Sequence, residues 1–271
     1  MRSGPADLQN CLRNRGHFLR HLRSPRQKCE LVRELEESRS TIDPALRELE
    51  RARFVERDEG GYRTTLAGEL ALAEYERYAA RLDGLAELRD VLEGLPPDEP
   101  LDCVLFERAK ASLPTHCSPH APVEKLGTFL DDADHLRVFA TAIIPKYVDM
   151  YHERVVEGGA IADFVLFEGV VEWLLSRRAD DVMDFFGADD VTVAETGLDH
   201  SFSLVIAEYD DASASEVGHD WNDRAVGTTF YDEGTLSGFV HTDAHEAVAW
   251  AETRFERIAD EAVPLDGPVE S

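Results

Sequence analysis

Apolar residues along the first fifty positions recur every three or four places. Leu8, Cys11, Leu12, Leu19 and Leu22 predict a helix over about 7–22. Ser24-Pro25 supplies a cap and a first-turn proline, and predicts a second helix reaching about Glu37, with Leu31, Val32 and Leu35 inward. Ile42, Leu46 and Leu49 form the buried stripe of a third helix capped by Ser38 or Ser40, with Asp43 in its first turn where a carboxylate suits the helix dipole. Phe54–Arg57 and Tyr62–Thr64 flank a turn containing Gly60-Gly61 and read as a two-stranded hairpin. Thr65 then caps a proline-free stretch from Leu66 to Glu93, whose Leu66, Leu70, Ala73 and Tyr75, and then Leu82, Leu85, Leu88 and Leu92, recur at helical spacing. Two partners can bury that row, a second copy of the chain or the C-terminal domain, and the expectation is a second copy. Gly94-Leu95-Pro96-Pro97-Asp98-Glu99-Pro100 reads as a stiff linker.

Beyond the linker, strand-like and helix-like segments alternate. Strands are predicted near Val104–Phe106, Leu136–Ala140, Ile161–Phe167, Val191–Ala194, Ser201–Glu208, Val226–Tyr231 and Leu236–Val240. Helices are predicted at Pro145–Glu157, Gly169–Arg177, Asp180–Phe186 and Asp243–Ala262, the last opened by Thr242-Asp243 with Glu246. The expected fold class is α+β overall. Residues 1–65 form an N-terminal domain, 66–100 a connecting helix and linker, 101–262 an α/β domain, and 263–271 a flexible tail.

Charge divides the chain unevenly. Residues 1–63 carry 14 Lys/Arg against 11 Asp/Glu, or +3, and the remaining 208 residues carry 14 against 44, or −30, which together give the net −27. A positive island in a strongly anionic chain is what a duplex-binding head needs, because phosphate attraction supplies much of the affinity. Only four of the 28 basic residues are Lys, against 55 Asp and Glu, a composition that resembles proteins of salt-loving archaea. At ~1 M salt the Debye length is ~3 Å, so such a protein has to rely on close contacts rather than a broad field. The four cysteines form no C-x-x-C, the N-terminus has no apolar leader and no apolar run approaches membrane-spanning length, so a cytoplasmic protein with reduced thiols and no membrane partner is expected.

The run Ser38-Arg39-Ser40-Thr41-Ile42-Asp43-Pro44-Ala45-Leu46-Arg47-Glu48-Leu49, followed by Phe54-Val55-Glu56-Arg57 and by Tyr62-Arg63-Thr64 through Gly68, resembles the winged helix-turn-helix domains of archaeal transcription regulators. In that fold the second helix of the motif lies in the DNA major groove. The resemblance implies Arg39, Ser40, Thr41 and Arg47 as base-edge or positioning residues, with Arg26, Arg57 and Arg63 on phosphates. Pro44 departs from many relatives, which carry Arg or another polar residue there. Since proline is harmless in a first helical turn and costly further in, the expectation is a helix starting at Ser40, with Arg39 left on the turn.

A second resemblance covers roughly 101–262. Tyr231-Asp232-Glu233-Gly234-Thr235-Leu236-Ser237-Gly238-Phe239-Val240, followed by Thr242-Asp243, Glu246-Ala247 and Trp250-Ala251-Glu252, is similar to the end of the methanogenesis-regulator middle-domain family. More distantly the region resembles the effector domain of TrmB-type regulators, related to the phospholipase-D fold. That resemblance implies a sensing domain with a possible small-molecule effector.

Catalytic signatures are missing. Phospholipase-D chemistry needs H-x-K, and the nearest match, His135-Leu136-Arg137, lacks both the lysine and the following aspartate. No phosphate-cradling glycine loop occurs. His116, Cys117 and His120, with Cys103, hold metal-ligand residue types, and Cys103 with Cys117 is a conceivable redox pair, but an exposed loop is the plainer reading. No metal, cofactor or catalytic residue is expected. The sequence therefore predicts a homodimeric DNA-binding regulator on a palindromic operator, modulated by a ligand in the C-terminal domain. The alternative is a protein-interaction module whose winged helix no longer reads DNA.

Overall fold

A computed structural model of the chain describes residues 4–188, 190–210 and 221–265. It divides into two compact units, Met1–Ala80 and Arg81–Ser271. Over those ranges the first unit carries 15 Lys/Arg against 14 Asp/Glu and the second 13 against 41, or +1 and −28.

In the first unit, α1 (Pro5–His21), α2 (Lys28–Glu34) and α3 (Arg39–Ala52) precede a hairpin of β1 (Val55–Asp58) and β2 (Gly61–Thr64). Their apolar faces meet in one core, with Phe18, Leu19, Leu22, Leu31, Ile42, Leu46 and Leu49 fully buried. Two boundaries differ from expectation. The second helix starts at Lys28 rather than at Ser24-Pro25. Arg26 cannot be helical because its N–H donates to the carbonyl of Tyr62 at 2.9 Å and its carbonyl accepts from the N–H of Tyr62 at 2.8 Å. This close pairing explains Gly61, which sits at φ +130° and whose Cβ, if present, would lie 2.2 Å from the Arg26 carbonyl oxygen. The third helix starts at Arg39, not Ser40. The Ser38 carbonyl accepts from the N–H groups of Thr41 and Ile42 at 3.0 and 3.1 Å, which makes Ser38 the cap and carries Arg39 into the first turn. Pro44 is thus tolerated inside the helix, where it leaves the Ser40 carbonyl without its usual donor.

The long helix α4 (Leu66–Leu92) forms as predicted, but its apolar row is not one seam. Leu72 is buried in the core of the first unit, with Ala71 and Tyr75 packed beside it. Leu88 and Val91 are buried in the core of the second unit, with Leu85 and Leu92 against them. The row Leu85, Leu88 and Leu92, assigned above to a second copy, is therefore consumed within the chain. Leu66 and Leu70 remain 76% and 61% exposed, and Leu82 is exposed too.

The second unit is an eight-stranded mixed sheet. Its strands are β3 (Lys110–Ser112), β4 (His135–Ala140), β5 (Ile161–Phe167), β6 (Val191–Thr196), β7 (Phe202–Glu208), β8 (Arg224–Asp232), β9 (Thr235–Thr242) and β10 (Val263–Pro264). Their order is β10-β6-β5-β4-β7-β8-β9-β3. Among the described residues, β4–β5 and β5–β6 are the parallel pairs and the other neighbours are antiparallel. One face is covered by the end of α4 and by α9 (His245–Glu261). The other carries α5 (Ala121–Leu130), α6 (Pro145–His152, continued by a π-helical turn to Glu157), α7 (Glu168–Arg177) and α8 (Ala179–Gly187). Period-two alternation assigns the faces: Leu136, Val138 and Ala140 join the core under α5 and α6, while Phe139 joins the core under α9.

Three local expectations are corrected here. Val104–Phe106 is not a strand but part of a 3-10 turn (Cys103–Phe106) capped by the Asp102 carboxylate, which accepts from the Val104 N–H at 3.0 Å; the edge strand is β3 instead. Gly84 allows this turn to approach α4, since a Cβ there would meet the Phe106 carbonyl oxygen at 1.9 Å. Helix α5 is not among the expected elements, although Val123, Leu126, Phe129 and Leu130 have helical spacing; it follows directly on the segment with His116, Cys117 and His120 that the sequence suggests as an exposed loop. The tail expected from 263 begins as β10, with Val263 and Pro264 paired to Glu195 and Ala194; residues 266–271 lie outside the described residues.

Candidate nucleic-acid interface

One face of α3 is free of the core. With 100° per residue, Ile42, Ala45, Leu46 and Leu49 share the buried side, and Ser40, Pro44, Arg47 and Arg51 fall opposite, all exposed. Arg39 and Thr41 flank that outward face from the first turn and are also exposed. Ser38 Oγ lies 2.6 Å from Ser40 Oγ and 3.0 Å from Thr41 Oγ1, which clusters three hydroxyls at the helix start.

Among the described residues, Arg39, Arg47, Arg51 and Arg57 form no ion pair. Asp43 lies one helical turn from both Arg39 and Arg47. It is held by Lys28, whose Nζ donates to it at 2.5 Å. That hydrogen bond, with smaller contributions from Arg47 and Arg39, keeps the Asp43 carboxyl below the usual carboxylate range. Lys28 Nζ also lies 5.6 Å from the centroid of the Tyr62 ring, and the Arg57 guanidinium lies 5.7 Å from the same ring. Tyr62 thus links the start of α2 and the Asp43 side of α3 to the hairpin cation.

The predicted residues therefore separate. Arg39, Ser40, Thr41, Arg47 and Arg57 are exposed, and among the described residues the three arginines form no ion pair. Arg63 is not free: it faces Glu56 across the hairpin, at 2.7 Å, with Asp58 3.6 Å away, and the Glu56 hydrogen bond raises its pKa. Arg26 is also engaged, its backbone with Tyr62 and its guanidinium 3.3 Å from Glu34. Lys28 and Tyr62 were missed as site residues. The signal for Lys28 is its position at the start of a helix, which the expected start at Ser24-Pro25 misplaces; Tyr62 enters the sequence pattern as a hairpin and motif residue, with no role toward the cations.

Elsewhere, His135 pairs with Asp163 at 3.0 Å, and Asp163 accepts from Thr192 at 2.6 Å. Arg137 is bound by Glu208 and Glu252, and Arg224 by the same two acids. The H-x-R pair is thus saturated by acids. Among the described residues, no group of three His, Cys, Asp or Glu is placed to hold a metal, and Cys103 and Cys117 are exposed free thiols.

Comparison with known proteins places the larger part of the chain. The model of the methanogenesis regulatory protein FilR1 middle domain matches residues 119–261, more than half of the chain. The chain belongs to that family. A second model, the HVO_A0261 N-terminal domain, matches residues 6–86. No curated protein matches the chain significantly. Solved structures similar to it include TrmBL2, an archaeal chromatin protein described with a novel mode of DNA binding (15% identity, 85% of this chain and 84% of that one, TM-score 0.43). Nuc of Salmonella typhimurium, a phospholipase D family member, matches at 13% identity over 58% of this chain and 97% of that one (TM-score 0.39). NucT from Helicobacter pylori matches at 10% identity over 58% and 100% (TM-score 0.38). Family membership makes the chain a member of a regulator family, and among the described residues no helix is long and apolar enough to cross a membrane.

Proposed function

We propose that this chain is a cytoplasmic DNA-binding transcription regulator of a salt-adapted archaeon, whose first unit is a winged helix-turn-helix with α3 as recognition helix and the β1–β2 hairpin as wing. The observation that carries this reading is the outward face of α3: Ser40, Arg47 and Arg51 in one exposed row, flanked by Arg39 and Thr41, the arginines forming no ion pair among the described residues while the neighbouring Asp43 is held by Lys28. Arg47 and Arg51 suit guanine edges or phosphates, and Arg57 on the hairpin suits a phosphate or the minor groove. In concentrated salt such close, unpaired donors retain their value where a diffuse basic field does not.

The regulator acts as a homodimer on a palindromic operator, with the still exposed Leu66 and Leu70 as the apolar surface available for pairing. The second unit senses a small-molecule effector, and an effector can shift the protein only by binding one of its states better. It is not an enzyme: the nearest phosphodiesterase-like residues, His135 and Arg137, are occupied by Asp163, Glu208 and Glu252.

The test is genome-wide immunoprecipitation of the tagged protein, followed by gel shifts in molar salt with the recovered sites and with the gene's own promoter. Recovery of a recurring palindrome that shifts with the purified chain supports the reading. Absence of any sequence-selective shift would favour a winged helix that serves protein contact instead.

A further inference from the structure

Within the second unit, β4, β5 and β6 form the floor of a cavity of about 440 Å³, walled by α6, α7 and α8. Its lining is almost wholly apolar: Val138, Phe164 and Val193 from the sheet, and Leu174, Val182 and Phe186 from α7 and α8 are typical. The single charged side chain on it is Glu195 of β6, which has no ion-pair partner among the described residues. The volume lies within the range of small-molecule sites. It equals roughly fifteen waters at ~30 Å³ each, yet the walls offer water few hydrogen-bond partners. Helix α8 has no fully buried residue, and Met183 on it and Leu175 on α7 are 49% and 56% exposed. Val170 and Val171 anchor α7 in the core and Phe185 of α8 packs against it, so the gap between these helices and the sheet is a local one, and an unfilled gap forfeits dispersion contacts.

We propose that this cavity is a binding site for a predominantly apolar, non-anionic small molecule, with Glu195 excluding anions. The occupant is argued from shape and charge. Three strands and three helices line a concave space, open on one side, that suits a compact ligand better than a flat protein surface, and a lone carboxylate with no ion-pair partner among the described residues disfavours an acid. A regulatory consequence for this ligand rests on the DNA-binding function proposed above; the site itself does not.

The probe is N-phenyl-1-naphthylamine, a neutral apolar fluorophore, titrated into the full chain in molar salt. Saturable fluorescence at one probe per chain is expected. Its sulfonated analogue, 1-anilinonaphthalene-8-sulfonate, should bind at least tenfold more weakly, and Glu195→Gln should narrow that gap to less than threefold. Val182→Trp and Leu174→Trp, each filling the cavity, should weaken the neutral probe at least tenfold while circular dichroism and a cooperative melt show an intact fold. Unsaturable binding, or unchanged affinity in whichever filled variant stays folded, overturns the site. So does probe competition by self-association through Leu175 and Met183, which would give this face to a second copy. Operator affinity measured with and without probe separates the two readings. A chain that binds probe but no operator defeats the DNA-binding proposal alone, and one that binds both without mutual effect defeats the regulatory consequence alone.

Discussion

The two units put their useful chemistry in opposite places. In the first, the core is filled and the interest lies outside, on an α3 face whose arginines form no ion pair among the described residues. In the second, the outside is crowded with carboxylates, whose arginines are mostly engaged, and the interest lies inside, in an apolar cavity that the helices do not fill. The contrast shows that in so acidic a chain a free cation is the informative surface residue. Acids on the surface are too common to mark a site, whereas an arginine left unpaired among them stands out.

The sharpest way to break the comparison is through α4, whose two ends serve different cores. Leu88→Ala should destabilise the second unit by about 2–5 kcal/mol, read as a lower thermal midpoint. Leu70→Ser should change the stability of the chain by less than about 0.5 kcal/mol. A reversed order would return the helix to an assembly role along its whole length. Next in size, Arg47→Ala should weaken operator binding by roughly 1–3 kcal/mol at fixed salt. Arg63→Ala should cost less than ~1 kcal/mol, since Glu56 and Asp58 already hold that guanidinium. Equal losses would show that pairing within the hairpin does not silence Arg63. Pro44→Ala should stabilise the first unit by about 1 kcal/mol, because the Ser40 carbonyl regains a donor. Calorimetry in molar salt measures it, and a fall in stability would mean that the proline ring itself packs usefully.

The smallest effect is chemical. Burial pushes the Cys11 thiol up to about 11, so at pH 8 it is almost wholly protonated, and iodoacetamide should label it only after unfolding. Reactivity should appear as pH rises toward that value, provided the fold survives. Cys29 and Cys117, both exposed, should be labelled in the folded chain. Rapid native labelling of Cys11 would mean that the first core opens readily.

Much of the fold was legible because apolar spacing is a local property. The helices around Leu19, Leu46 and Phe255, and the hairpin of Val55–Asp58 with Gly61–Thr64, follow from residues within a turn or two of each other. The face of α3 was legible for the same reason: once Ile42, Leu46 and Leu49 are inward, Ser40 and Arg47 are outward. The start of α2 was not legible, since it depends on Arg26 bonding to Tyr62, thirty-odd residues later.

The sequence by itself determined which residues α3 presents, that the acid excess lies outside the first sixty-odd residues, and most of the helices and strands, because these depend on periodicity and composition. Only the tertiary structure decided which cations remain free. Arg63 and Arg47 look alike in the sequence, and the strand register alone sets Glu56 opposite Arg63 while no acid is paired with Arg47. It also decided where the leucines of α4 are buried and that the helices over β4–β6 leave a cavity, since packing depends on distances between elements that one-dimensional spacing does not encode.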